Sequence, residues 1–296
     1  MAASLIDAVG RDHLVFAVAA GALIGLSLGA LGGGGSILAV PALVYLLDQS
    51  PAQATTGSLV VVGVTALIGA VTAQRAGNVL LGRGVAFGIV AIGGAAAGAK
   101  AASHIAPDIL LAAFAALMLL VAGVMVNRQV RDGRGTAARH TARATLDDPI
   151  ITFSPTFTCA CPRALKVVLT ATAVGLLTGF LGVGGGFLVV PALVLALALP
   201  VEFAAGTSLV VITITSAAAL LVRSGSGSSP DWGPVLVLTI ASALAAIAGA
   251  RLAGRLNTDR LLLAFTALLI AVALYTAVEA LLGLAEITPG RDGLGP

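Results

Sequence analysis

Apolar residues fall into eight long runs along this chain, separated by short polar punctuation. In the first half the runs cover 13–48, 53–74, 84–105 and 107–126; in the second they cover 165–199, 203–222, 234–256 and 259–282. An α-helix rises 1.5 Å per residue, so about 20 apolar residues cross the hydrocarbon of a bilayer. The last three runs of each half fit single spans. The first run of each half, 36 and 35 residues long, does not. Each is interrupted near its middle by glycines, Gly32 to Gly35 in one and Gly182 with Gly184 to Gly186 in the other. There the backbone can leave helical geometry without a Cβ penalty. The pattern predicts an all-α polytopic membrane protein with about eight segments. The run from Leu14 to Leu31 could pass for the core of a signal peptide, but its recurrence in the second half marks it as a retained segment.

The recurrence is a tandem duplication. A shift of 150 residues lays Gly25–Val44 on Gly175–Val194 with 13 of 20 positions identical. The matches include Gly25 with Gly175, Gly29 with Gly179, Gly32 with Gly182, Gly34 with Gly184, Gly35 with Gly185 and Pro41 with Pro191. The same shift lays Ala54, Ser58 and Leu59 on Ala204, Ser208 and Leu209, and a shift of 151 pairs Lys100 with Arg251 and Asp108 with Asp259. The chain therefore divides into a first membrane repeat, 1–126, an Arg-rich linker, 127–163, and a second repeat, 164–296.

Whether the repeats are parallel or inverted depends on the broken segment. If it enters and returns on one face, each repeat crosses an odd number of times and the two are inverted. With the linker in the cytoplasm, inversion also places Arg75, Arg83, Arg251, Arg255 and Arg260 inside and leaves Arg11, Lys100 and Arg223 outside. The positive-inside bias favours that arrangement over the parallel one, and inverted repeats are frequent in transporters.

Composition narrows the class. Hydrophobic residues make up 58% of the chain and charged ones 10%, against roughly 25% charged in soluble domains. The net charge of +3 does not mark a nucleic-acid partner, because seven of the 16 Lys and Arg lie between Arg128 and Lys166. No nucleophile, base and orienting group can be assembled, so the sequence predicts no enzyme, and no metal-ligand spacing or cofactor motif is present. Asp48, Glu202, Asp108 and Asp259 all sit at the borders of the runs, so no proton relay through a midplane carboxylate is visible.

The remaining chemistry is that of the glycine clusters and nearby hydroxyls. Gly21, Gly25 and Gly29, Gly94 and Gly98, and Gly175 and Gly179 have the four-residue spacing of close helix packing. Consecutive glycines are not needed for packing and weaken a helix by roughly 1 kcal/mol each. Inside a bilayer such backbone is tolerated only where protein or a water-filled cavity satisfies it. Half-helices starting near Ser36 and Phe187 would present unpaired amides and the positive end of a helix dipole, suited to a small anion without a buried cation. Gly33, Gly34, Gly35, Ser36, Gly184, Gly185 and Gly186 are therefore candidate substrate contacts, with Thr56, Ser58, Thr207 and Ser208 as hydroxyl donors. Capping a helix is the competing role for Thr55 and Thr56. Pro41 and Pro191 are expected to kink the half-helices, and Lys100 and Arg251 to snorkel to the interface.

Two glycine-rich segments, each closing on Val-Pro-Ala-Leu, with Ala205 to Leu209 reading Ala-Gly-Thr-Ser-Leu after the second, resemble the TauE/SafE family of sulfite exporters, the TSUP transporters. The resemblance covers both halves. It implies a multi-pass protein of the bacterial inner membrane, without cofactor, moving small sulfur-containing anions such as sulfite, thiosulfate or organosulfonates. The signature positions are Gly32 to Ser36, Gly184 to Gly186, Thr207 and Ser208. The first repeat departs from it, with Thr55-Thr56-Gly57-Ser58-Leu59 in the equivalent place, so the two half-sites are chemically unequal. The sequence thus predicts an exporter working by alternating access, its partners being the anion and the lipid bilayer. A second reading is a non-transporting scaffold or sulfur-relay subunit using Cys159 and Cys161, whose thiols are too close in sequence for an ordinary disulfide.

Overall fold

The structure is a computed structural model. It describes residues 11–102, 104–105, 161–181, 186–197, 199–224 and 230–253, with isolated helical positions between 113 and 123 and between 267 and 278. The linker up to residue 160 and most of the runs 107–126 and 259–282 lie outside the described residues, as do Gly184, Gly185 and Cys159.

Every described element is helical. The first repeat contributes α1 (Arg11–Leu31), the short α2 (Ser36–Pro41), α3 (Pro51–Arg75) and α4 (Leu81–Ala102). The second contributes α5 (Cys161–Leu181), α6 (Gly186–Ala196), α7 (Val201–Arg223) and α8 (Trp232–Ala253). Among the described residues five helices, α1, α3, α4, α7 and α8, are long and apolar enough to cross a bilayer. Large apolar side chains point outward, among them Ile89, Leu169, Leu221 and Leu244, while Ser58, Thr65, Thr178, Ser208, Thr215 and Ser242 are buried. That distribution suits a lipid solvent, where hydroxyls must find partners inside the protein.

Small residues set the helix pairing. A Cβ at Gly25 would overlap the carbonyl of Ser242, and one at Gly29 the carbonyl of Ala246, so α1 and α8 touch backbone to backbone along one direction. The pairing of α4 with α5 has the same form: Gly175 faces Ala91 and Gly179 faces Ala95, while Gly94 and Gly98 face Thr172 and Leu176. The four-residue glycine spacing is thus a packing device. In the centre α3 and α7 run oppositely, with Gly69 against Leu209, Gly63 against Ser216 and Thr55 against Arg223. Helix α3 runs along α8, Gly57 meeting Val235 and Thr65 meeting Ser242, and α4 runs along α7, Gly84 meeting Thr207 and Gly88 meeting Ile214. Accordingly α1, α3 and α8 point one way and α4, α5 and α7 the other.

Since α1 and α3 point the same way, the segment between them must carry the chain back. Gly32, at φ +72°, makes the reversal. Helix α2 then lies so close to α1 that a Cβ at Gly35 would overlap the carbonyl of Ile24. Pro41 closes α2, and having no N–H it cannot continue the α-helical ladder; a π-helical turn, Ala42–Leu46, follows. The same turn ends both returning segments: Gln49 N–H donates to Leu43 O at 3.0 Å, and Leu199 N–H to Leu193 O at 3.4 Å, each 150 residues apart. Helix α3 starts at a capping box of Ser50 and Gln53 with Pro51 at its first position. Thr55 and Thr56 do not cap it. Their hydroxyls donate to Ala52 O at 3.0 and 3.1 Å, because the chain enters the helix one turn earlier than the hydroxyl pattern suggested.

Candidate functional site

The glycine interruption of the first repeat is an open turn between Leu31 and Ser36. Gly32 N–H still donates to Leu28 O (2.9 Å), and Ser36 N–H donates to Gly33 O (3.2 Å). The amides of Gly33, Gly34 and Gly35 meet no backbone acceptor among the described residues. They are available donors in a setting where an unmet backbone donor is costly.

This turn meets the second interruption. A Cβ at Gly186 would stand 2.8 Å from Gly33 O, 2.8 Å from Ser36 Oγ and 2.9 Å from Ile212 Cδ1, so the two breaks touch beside the midpoint of α7. Only glycine can occupy Gly33 here, because its own Cβ would overlap the carbonyl of Gly186. Ser36 Oγ donates back to Gly33 O at 2.8 Å, holding the start of α2 in the turn. Ser208 Oγ shares its one proton between Gly32 O, across the repeats, and Ala205 O of its own helix (2.7 Å). Thus Gly33, Gly34, Gly35, Ser36, Gly186 and Ser208 form one buried cluster of amides, carbonyls and hydroxyls.

Thr207 is next to that cluster but occupied elsewhere: its Oγ1 accepts from Leu80 N–H at 3.1 Å, ahead of α4. Thr56 and Ser58 are at the other end of the α3–α7 pair. Ser58 Oγ donates to Thr55 O at 2.9 Å, and Thr55 faces Arg223. Arg223 lies 15 residues beyond Ser208, roughly 22 Å at 1.5 Å per residue. The sequence-predicted residues are therefore not gathered into one shell. They sit in two places along α7, with Gly184 and Gly185 outside the described residues.

Arg223 is the residue that sequence reasoning missed. The sequence counts it only as one of the charges left outside, yet only 9% of it is exposed. Its Nη1 donates to Thr55 Oγ1 at 3.0 Å and its Nη2 to Gly179 O at 3.1 Å and Phe180 O at 3.4 Å. It thereby ties α3 and α7 to the C-terminal carbonyls of α5, immediately before the second glycine break. The 150-residue shift leaves Ala73 in the corresponding place, so this cation is present in one repeat only. That asymmetry was visible in the sequence; its burial was not, because Arg223 lies at the last turn of an apolar run. Lys100 and Arg251, the matched pair, are exposed in the last turns of α4 and α8, consistent with interface anchoring.

Comparison with known proteins places the chain in a family. Residues 17–276 match the family described as Sulfite exporter TauE/SafE. Two relatives in Xylella fastidiosa, from strains Temecula1 and 9a5c, are each named "Probable membrane transporter protein". Each is 31% identical to this chain over 267 and 271 residues respectively, covering 89% of this chain and 95% of the relative. No solved structure gives a significant match. With most of the chain inside the matched region and five helices among the described residues long and apolar enough to cross a bilayer, the chain is a multi-pass membrane transporter, and it belongs to the TauE/SafE sulfite exporter family.

Proposed function

We propose that this transporter exports small sulfur-containing anions, such as sulfite, thiosulfate or organosulfonates, across the bacterial inner membrane by alternating access around the paired glycine breaks. The observation that carries the reading is the cluster at Gly33 and Gly186, where amides with no backbone acceptor among the described residues adjoin Ser36 and Ser208 beside the midpoint of α7. Sulfonate and sulfite oxygens are strong acceptors for convergent N–H donors, and the Ser36 and Ser208 hydroxyls would join them by turning from the carbonyls of Gly33 and Gly32 to the anion. The export direction follows the family description.

In this reading the substrate contacts are Gly33, Gly34, Gly35, Ser36, Gly186 and Ser208, with Gly184 and Gly185 completing the second break and Thr56, Ser58 and Thr207 lining the approaches. The chain is organised as repeats 1–126 and 164–296 joined by a cytoplasmic linker, eight segments in all, and the repeats are inverted. Support for inversion comes from helix direction: α1 and α3 oppose their counterparts α5 and α7, and α4 opposes α8. Two inverted halves can exchange conformations, which is how many transporters alternate access.

The test is flux of labelled sulfite and sulfoacetate in proteoliposomes. The wild type is expected to move both with saturation, and Gly33→Val to lose at least nine-tenths of that flux while remaining monodisperse and membrane-inserted. Transport of cations with no anion flux would overturn the proposal.

A further inference from the structure

Ser216 stands apart from every other buried hydroxyl among the described residues. A serine or threonine inside a helix ordinarily donates to the carbonyl three or four residues back. Thr65 does so to Val61 O, Thr178 to Val174 O, Thr215 to Val211 O and Thr239 to Val235 O. Ser36, Thr55, Thr56, Ser58, Ser208 and Ser242 also donate to carbonyls, and Thr207 accepts from an amide. Ser216 is 1% exposed, and its Oγ has no hydrogen-bond partner among the described residues. A buried hydroxyl in this state is destabilising unless something else visits it.

Its position says what would visit. Ser208, Ile212 and Ser216 recur every four residues on one face of α7, and Arg223 follows two turns later on the same face. Ser208 holds Gly32, Ile212 touches Gly186, and Arg223 meets Thr55. Ser216 is therefore one turn past the meeting point of the breaks, on the way to the Arg223 end. Across from it is Gly63 of α3, whose missing side chain would have come within 3.2 Å of Ser216 Cβ. We propose that Ser216 is a substrate contact: its Oγ donates a hydrogen bond to the oxyanion as the anion passes between the glycine breaks and the Arg223 end of α7. The assignment rests on the anion-transport reading above and adds a residue outside the family signature.

The experiment uses the full chain with Cys159→Ser and Cys161→Ser, reconstituted and assayed with labelled sulfoacetate. Ser216→Ala should raise KM at least tenfold, the scale for one lost hydrogen bond to a charged group, with thermal stability of the substrate-free protein unchanged or raised, because no bond within the protein is removed and an unmet hydroxyl is. Ser216→Cys should react with a negatively charged methanethiosulfonate, and more slowly in excess sulfoacetate, while Thr215→Cys, equally buried but bonded to its own helix, should stay unmodified. A wild-type KM for Ser216→Ala, or labelling of Ser216→Cys no faster than of Thr215→Cys, overturns the assignment of Ser216 alone. A parent protein that moves neither sulfite nor sulfoacetate overturns the anion reading and this proposal with it.

Discussion

A guanidinium at the end of α7 reaches two other helices, and its partners differ in kind. Thr55 Oγ1 is a side-chain acceptor on the first repeat, whereas Gly179 O and Phe180 O are the unpaired last carbonyls of α5. Charge-assisted bonds of this sort contribute about 1.5–3 kcal/mol each when a partner is removed from the interior. Arg223→Gln should therefore destabilise the protein by about 2–3 kcal/mol in detergent. Thr55→Val should cost less, because the carbonyl bonds survive, and the two losses should not add. Lysine at 223 should not restore the wild type, since a single ammonium cannot replace the forked donor set. Thermal unfolding of the two single variants, the double variant and Arg223→Lys checks all three statements; simple additivity would mean that the Arg223–Thr55 bond contributes nothing. Residue chemistry of this kind was barely legible in the sequence. The hydroxyls at Ser58 and Ser208 could be found through the repeat, but a lone arginine in the last turn of an apolar helix reads as an interface anchor until its neighbours are known.

At the scale of elements, glycine has two jobs here, and neighbouring residues separate them. Gly93 has nothing within 4 Å of where its Cβ would be, whereas a Cβ on Gly94 would overlap the carbonyl of Thr172 on α5. Gly93→Ala should be neutral or stabilise by up to about 1 kcal/mol through helix propensity. Gly94→Ala should cost about 2 kcal/mol, because two backbones must separate. Opposite signs from adjacent positions, measured as shifts in the unfolding midpoint, would establish that α4 and α5 touch through their main chains; equal effects would remove that contact. The four-residue spacing announced this packing, and consecutive glycines announced the reversal after α1. What the spacing could not give was the partner, since pairing α1 with α8 and α4 with α5 joins elements from different repeats. Nor could it give the π-helical turn after Pro41, which arises where a missing N–H coincides with a chain that must still reach Gln49 before α3 begins.

For the whole molecule, helix direction and charge bias bear on the same question by independent routes. The contacts set Ser50 and Ser224 at the same end of the α3–α7 pair, through Thr55 and Arg223, and Ala76 and Pro200 at the other end, where Asn78 O adjoins Gly206. Inverted repeats require that grouping. Parallel repeats would instead put Ser50 with Pro200, since those positions are equivalent under the 150-residue shift, and Ala76 with Ser224. Positive-inside bias adds polarity: with Arg75 and Arg83 on either side of Ala76, the proposed topology puts that end in the cytoplasm. Single cysteines at 50, 76, 200 and 224, in a chain with Cys159→Ser and Cys161→Ser, can be challenged on intact cells with a membrane-impermeant maleimide. Ser50→Cys and Ser224→Cys should react from outside, and Ala76→Cys and Pro200→Cys only after the membrane is opened. Reaction of Ser50→Cys and Pro200→Cys from one face would fit parallel repeats and refute inversion. It would also remove the exchange between inverted halves as the route to alternating access at the contact between Gly33 and Gly186, leaving only a rocking of one parallel half against the other.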